Sequence, residues 1–258
     1  MMKQERLRLM EEYIAQKGFA SMDELCREFS VSINTVRADV REIIARGRVQ
    51  KTYGGVTFVQ TAQYSSYEIR EKENESKKRA IAQAAARTIG DGDIIYLDLG
   101  TTCLPVVDYI PEEYYITILT NDLGIINRAS HRTNTKIMTF GGTYQPRSNS
   151  FKCTFPAMHS YIEACNISKA FLGTVGISPS GQMTNSENFG REVRSLLLRT
   201  CPKTYLLADS SKFGKTALLT YGSLTDLTAC ITDSSLSENY RELCRSLGVH
   251  LMLVDPSK

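Results

Sequence analysis

The sequence predicts an α/β domain with a mostly parallel sheet, preceded by a small helical module that ends in a β-hairpin. Three observations carry this. Up to residue 58, apolar residues repeat at helical spacing in short segments, and a Gly-Gly then separates two extended runs. From Lys77 onward, short and continuously apolar runs alternate with helical patterns, as expected of strands buried on both faces. Between them, residues 59–76 (QTAQYSSYEIREKENESK) lose apolar periodicity and read as a linker, giving expected parts at 1–58, 59–76 and 77–258.

Composition narrows the class. With 258 residues, 42% hydrophobic and 23% charged, the chain is long enough for a small module plus a larger one and is not a disordered polymer. The net charge of +3 does not by itself announce nucleic acid, but its distribution is uneven. Residues 1–29 carry five basic and six acidic side chains, whereas residues 32–51 carry five basic (Arg37, Arg41, Arg46, Arg48, Lys51) against Asp39 and Glu42. Seven cysteines, with no CxxC pair, fit reduced thiols in a cytoplasmic protein. The N-terminus lacks the apolar core of a signal peptide. No apolar run reaches the about 18 residues of a transmembrane helix, so no membrane partner is expected.

The first helix is expected over residues 3–17, with Leu7, Met10 and Ile14 on one face and Gly18 as its stop. Ser21-Met22-Asp23-Glu24 has the form of a capping box and opens a second helix with Leu25 and Phe29 inward. After the turn Ser30-Val31-Ser32, Ser32 can cap a third helix. Its stripe is Val36, Val40, Ile43 and Ile44; the opposite side shows Asn34, Arg37, Ala38 and Arg41. Gly47 ends it, and residues 49–58 form the hairpin.

Two short helices, a tight turn and a third helix with a polar, basic outer face make a winged helix-turn-helix, whose third helix fits the major groove of B-DNA. Ser32, Asn34, Thr35, Arg37 and Arg41 are its expected DNA contacts. Arg48, Lys51 and Tyr53 belong to the hairpin, where a wing tracks phosphates. Arg46 fits a helix-dipole partner better than a base reader. The run from Phe29 to Gly47 (FSVSINTVRADVREIIARG), followed by Tyr53-Gly54-Gly55-Val56, resembles the DeoR family of bacterial regulators of sugar metabolism. That family shows a V-S-x-x-T-I-R-R-D-L recognition helix and an H-G-G-A wing. Ala38 replaces a usual second arginine and Tyr53 a usual histidine; against the family pattern, Ala38 removes one expected DNA contact and points to a changed operator sequence, with Arg37, Arg41 and Lys51 remaining for binding.

In the second part, strands are expected at Ile94–Leu97, Ile116–Leu119, Lys136–Phe140, Ala170–Leu172, Thr204–Ala208, Ala229–Ile231 and Val249–Val254. The first ends in Asp98-Leu99-Gly100-Thr101-Thr102, small and hydroxylated residues suited to cradling a phosphate before a helix that begins near Pro105. Asn121, the pair Gly141-Gly142, Gly173 with Gly176, and Asp209-Ser210-Ser211-Lys212 follow the next four strands. In open α/β sheets this edge binds ligands, and Lys212 is a natural counter-charge for an anion.

The phrases LDLGTT, LTN, FGG, AFLGTVGI and LADSSKFG again resemble the DeoR family, here its sensor domain, so the resemblance covers nearly the whole chain. It implies a ribose-5-phosphate-isomerase-like fold, a phosphorylated sugar or sugar acid as effector, and repression as the usual output. It also implies Gly100, Thr101, Thr102, Asn121, Gly173, Gly176 and Lys212 as pocket residues. Asp98, Gly141, Gly142 and, more weakly, Glu187 complete the set, while Arg147 and Arg191 fit either effector contacts or surface charges.

The rival reading is a sugar-phosphate isomerase. It needs a general base, and the loop Gly173-Thr174-Val175-Gly176-Ile177 has no carboxylate. Asp98 and Asp209 fit caps or amide acceptors better. The histidines at 131, 159 and 250 have neither triad nor ligand spacing, and Cys103 reads as a buried thiol. No catalytic residue, metal motif or cofactor motif is expected. RNA binding would need aromatic platforms that the sequence does not show. A single small winged helix binds DNA weakly, so a homodimer or homotetramer on a double-stranded operator is expected.

Overall fold

The computed structural model describes residues 3–45, 49–52, 54–58, 60–61, 67–153 and 158–256. The N-terminal module comprises α1 (Lys3–Lys17), β1 (Phe19–Ser21), α2 (Met22–Phe29), α3 (Ile33–Ala45), β2 (Val49–Thr52) and β3 (Gly55–Phe58). Leu7, Met10, Ile14, Leu25, Val36, Val40 and Ile43 meet Val49 and Val56 in one closed core. The capping box forms: the Ser21 hydroxyl accepts from the Glu24 amide at 3.1 Å, and the Glu24 carboxylate accepts from the Ser21 amide. The strand β1, which the sequence reading did not expect, pairs with β3 and closes a three-stranded sheet in the order β1-β3-β2. That pairing explains the Gly-Gly. Gly54 turns at φ +78°, and a Cβ on Gly55 would sit 2.3 Å from the Ala20 carbonyl oxygen.

The chain continues through β4 (Gln60–Thr61), α4 (Tyr67–Lys72) and α5 (Glu75–Ala86) to β5 (Ile94–Leu97) and β6 (Ile116–Leu119). Next come α6 (Leu123–Ala129), β7 (Thr135–Met138), β8 (Thr143–Gln145), β9 (Ser150–Lys152), α7 (Met158–Ala164) and β10 (Lys169–Leu172). The strands β11 (Gly176–Ile177) and β12 (Gln182–Asn185) lead to α8 (Asn188–Thr200) and β13 (Thr204–Leu207). The last elements are β14 (Lys215–Thr216), β15 (Leu219–Ser223), β16 (Ala229–Asp233), α9 (Glu238–Ser246) and β17 (Leu251–Val254).

Seven strands form one sheet in the order β17-β16-β13-β10-β5-β6-β7, every neighbouring pair parallel. Alternate side chains feed different cores. Ile95, Leu97, Phe171, Tyr205, Leu207 and Ile231 pack with α5 and α6 on one face, while Tyr96, Ala170, Leu172, Leu206 and Cys230 pack with α7, α8 and α9 on the other. Both faces are covered, which is why these strands read as unbroken apolar runs.

The expected linker, residues 59–76, contains α4, and Tyr67 is buried in the core of the α/β domain. Their high charge hid this, because a single aromatic anchor gives no periodicity. The helix expected after Thr102 is a 3₁₀-helix, Leu104–Tyr109, so no long α-helix stands behind the Gly100 loop. The small sheets β11-β12-β15, β8-β9 and β4-β14 were also not foreseen. The β4-β14 pair ties the stretch after the hairpin to the α/β domain. Beside it lies a cleft of about 360 Å³, lined by Phe19, Thr52 and Thr57 from the first part and by Phe213, Lys215 and Tyr240 from the second. Among the described residues, no helix is long and apolar enough to cross a membrane, and no group of side chains has metal-holding geometry.

Candidate functional site

The first site is the outer face of α3. Val36, Val40 and Ile43 are buried, as is Asp39, whose carboxylate accepts from Arg6 at 2.6 Å (Nε) and 3.2 Å (Nη2). This charged fork and the apolar stripe clamp one face to α1. The opposite face is therefore presented with little freedom to roll, leaving Asn34, Arg37, Ala38 and Arg41 exposed. Ser32, also exposed, caps the helix: its hydroxyl accepts from the Thr35 amide at 3.3 Å and contacts the Thr35 hydroxyl at 3.0 Å. Arg41 folds back on the Arg37 carbonyl at 3.2 Å, a contact readily exchanged for a phosphate. Lys51 is exposed on β2 of the hairpin. Arg48 and Tyr53 lie outside the described residues.

The second site follows from strand order. From β5 the chain builds outward through β6 and β7, then returns to the other side of β5 with β10 and builds outward again. The topological switch point, where open α/β sheets form their ligand crevice, is therefore between the carboxyl ends of β5 and β10. It is flanked by residues 98–103 and 173–175. Gly100, at φ +119°, donates its amide to Asp122 at 2.9 Å; a side chain there would be strained. Thr101 and Thr102 complete this lip, with Gly173 opposite.

The expected residues divide by what their atoms already do. Asp98 is buried and committed: Oδ1 accepts from the Leu99 amide at 2.8 Å, and Oδ2 accepts from the Gly173 amide at 2.8 Å and Arg194 Nε at 2.5 Å. It stitches the two lips together. Asn121 donates to the Gly141 and Phe151 carbonyls at 3.1 and 2.9 Å and accepts from the Phe140 amide at 2.8 Å, so it fixes loops. Gly176 lies against β14, where a Cβ would be 2.4 Å from the Lys215 carbonyl oxygen; Gly142 is likewise pressed on Lys152. Glu187 pairs with Lys152 at 2.5 Å. Gly141 and Gly142 follow β7, an outer strand of the sheet. The residues gathered at the switch point are thus Gly100, Thr101, Thr102 and Gly173, with Lys212 half-buried beyond β13.

Other charged groups were missed. Arg194, buried, holds Asp98 and lies over the Tyr221 ring at 5.5 Å. Asp122 is buried, and desolvation pushes its carboxyl up to about 6 despite the amides that donate to it. Lys78 is buried in α5, which pushes its ammonium down to about 8. Asn74, Lys77 and Arg70 join it near the strand ends. A signal existed for Asp39, Lys78 and Arg194. Each stands three or four residues from members of its helix's apolar stripe, on the inward face. Burial pushes the Cys103 thiol well up, consistent with a structural rather than reactive sulfur.

Comparison with known proteins gives concordant results. A family model described as the DeoR-like helix-turn-helix domain matches residues 6–62, and one described as the DeoR C terminal sensor domain matches residues 73–234. The HTH-type transcriptional regulator IolR of Bacillus subtilis is 38% identical over 97% of this chain and 100% of its own length. The glycerol-3-phosphate regulon repressor of Escherichia coli is 25% identical over 86% of this chain and 88% of its own. Among solved structures, ribose 5-phosphate isomerase A from Methanocaldococcus jannaschii aligns over 55% of each chain with a TM-score of 0.40 and 15% identity.

Proposed function

The chain belongs to the DeoR family of transcription regulators, and on that premise we propose that it is a cytoplasmic repressor whose grip on operator DNA is set by a phosphorylated sugar or polyol. It is a DNA-binding regulator and not an enzyme, as are the relatives named above. The observation that carries the DNA half is the clamped α3: its buried face fixes which side chains point outward, and these are Asn34, Arg37 and Arg41. Arg37 and Asn34 suit base edges, while Arg41 and Lys51 suit phosphates. Two such modules on one homo-oligomer would address an operator with two related half-sites.

The effector half rests on the crevice at the switch point. Gly100, Thr101, Thr102, Gly173 and Lys212 are its contacts. Asp98, Asn121, Gly141, Gly142, Gly176 and Glu187 hold the loops that shape it. A relative named for a glycerol-3-phosphate regulon supports both a phosphorylated effector and repression. Effector binding shifts the balance between arrangements of the oligomer with different recognition-helix spacing.

The test is a titration of the protein against labelled DNA from upstream of its own operon, with non-specific competitor, at two salt concentrations. A panel of sugar phosphates and polyol phosphates is then added. Competitor-resistant binding that one phosphorylated compound weakens supports both halves. Salt-labile binding without preference rejects the operator reading, and specific binding indifferent to every compound in the panel rejects the effector reading.

A further inference from the structure

The outer face of α3 has a centre and two shoulders. With successive residues turned about 100° around the axis, the buried Val36, Asp39, Val40 and Ile43 define an inward direction, and Asn34, Ala38, Arg41 and Ala45 lie within about 30° of its opposite. All four are exposed. Arg37 is exposed too but stands about 70° to one side, where a long side chain is needed to reach the middle of a groove. On the other shoulder, both carboxylates of the helix are drawn towards α1: Arg6 holds Asp39 at 2.6 Å and Lys3 holds Glu42 at 2.8 Å. The ridge that faces a major groove therefore carries no acidic group and reads Asn-Ala-Arg-Ala.

Ala38 lies in the middle of this ridge, with Asn34 one turn before it and Arg41 one turn after. Its side chain is a single methyl, so α3 can approach DNA more closely here than at either neighbour. A methyl neither donates nor accepts a hydrogen bond and cannot read the polar base edges. Contact with a second apolar group removes both from water, which is favourable. In the major groove of unmodified DNA only one base edge offers such a group, the C5-methyl of thymine. Asn34 and Arg41 are displaced from Ala38 by about 6 and about 4.5 Å along the axis, against about 3.4 Å between base pairs, so this thymine falls within about two base pairs of the bases those side chains reach.

We infer that Ala38 is a specificity-determining residue of the DNA site: its methyl packs on the C5-methyl of a thymine in each operator half-site, between the bases addressed by Asn34 and Arg41. The inference rests on the operator reading above and adds to it one base and the chemical group by which that base is recognised. Ala38→Arg would bring hydrogen-bond donors to the same place, so the operator that fits wild type and the one that fits this variant differ at that base pair.

The experiment uses full-length protein and a duplex that wild type selects from a randomised pool. Each thymine is replaced in turn by deoxyuridine, which deletes the C5-methyl and keeps the base pair. Gel-shift titrations then compare wild type, Ala38→Gly, Ala38→Arg and Asn34→Ala. In wild type, one thymine per half-site should show a uracil penalty of about fourfold, the worth of one buried methyl. That penalty should disappear in Ala38→Gly and persist in Asn34→Ala. Ala38→Arg installs a strong helix former, which covers the case in which glycine weakens α3; it too should lose the penalty, and should select a base other than thymine there. Wild type indifferent to every uracil, a penalty that survives in either Ala38 variant, or thymine still selected by Ala38→Arg overturns the contact. An operator found without a methyl-sensitive thymine sinks this inference alone. If the pool yields no sequence that resists competitor, the operator reading fails with it.

Discussion

The two parts of the molecule use the same device for different ends. In each, an arginine grips a buried aspartate: Arg6 with Asp39 in the winged helix, and Arg194 with Asp98 in the α/β domain. In the first, the pair joins two helices and fixes the roll of α3, whose other face is left exposed. In the second, the pair sits directly under the crevice and joins α8 to the lips of two strands. The difference is one of range. In the winged helix, Asn34, Arg37 and Arg41 lie on one helix, so their mutual spacing is set by helical geometry alone. The switch-point crevice is bordered by residues from separate strand ends, and has no spacing until the sheet assembles.

The sharpest break of this comparison is to cut each pair. Asp39→Ala and Asp98→Ala each leave a guanidinium without its anion and should destabilise their own part by about 3–5 kcal/mol. Followed by calorimetry, Asp39→Ala should lower only the melting of the winged helix and abolish DNA binding, whereas Asp98→Ala should lower the α/β transition. An Arg6→Met/Asp39→Leu double variant should recover most of the first loss. Equal melting of Asp39→Ala and wild type would show that the pair does not set the position of α3.

Lys78 gives a smaller effect with the opposite sign. Its folded value of about 8 lies below the ordinary 10.5, so the unfolded chain binds the extra proton between these values and stability rises with pH through that window. The penalty is fully present below about 8. Lys78→Met should therefore stabilise the apo protein by roughly 2 kcal/mol at pH 7, with the advantage fading towards pH 10.5. Urea melts across that range check it. A variant that is less stable than wild type at pH 7 would identify Lys78 as a structural anchor.

On the DNA side, Arg37→Ala should weaken operator binding by about 1–3 kcal/mol without moving the melting temperature, because the side chain is exposed. Gel-shift titration alongside a thermal melt separates the two quantities. The smallest effect is expected for Lys51→Ala, which should weaken specific and non-specific DNA alike and reduce the salt slope by about one. An unaltered slope would place Lys51 away from the phosphates.

Much of this was legible in the sequence. The three helices, the capping box at Ser21, the hairpin and the outer face of α3 follow from spacing and turn chemistry within a few residues. The same holds for the seven strands of the main sheet, whose apolar runs report burial on both faces. The limits lie where one local pattern has two meanings. Asp98 and Asn121 look like ligand contacts because they are polar residues at strand ends, yet their atoms are engaged by amides and carbonyls of neighbouring loops. Lys78 and Arg194 look like ordinary surface charges in basic, polar runs, although their helical phase placed them inward.

By itself, then, the sequence determined the kinds of element, the division into a DNA-reading module and an α/β domain, and the set of loops at the ligand edge. These rest on interactions between residues close along the chain. The tertiary structure alone decided that β5 and β10 are neighbours, that residues 70–77 contact the loops at the carboxyl ends of β5, β13 and β16, and which polar groups are already engaged. Those outcomes depend on contacts such as Arg194 with Asp98, 96 residues apart, and Asn74 with Asp209, 135 apart. Such pairs form only when packing of the whole sheet outweighs the entropy of closing long loops, and no local pattern encodes which of them will meet.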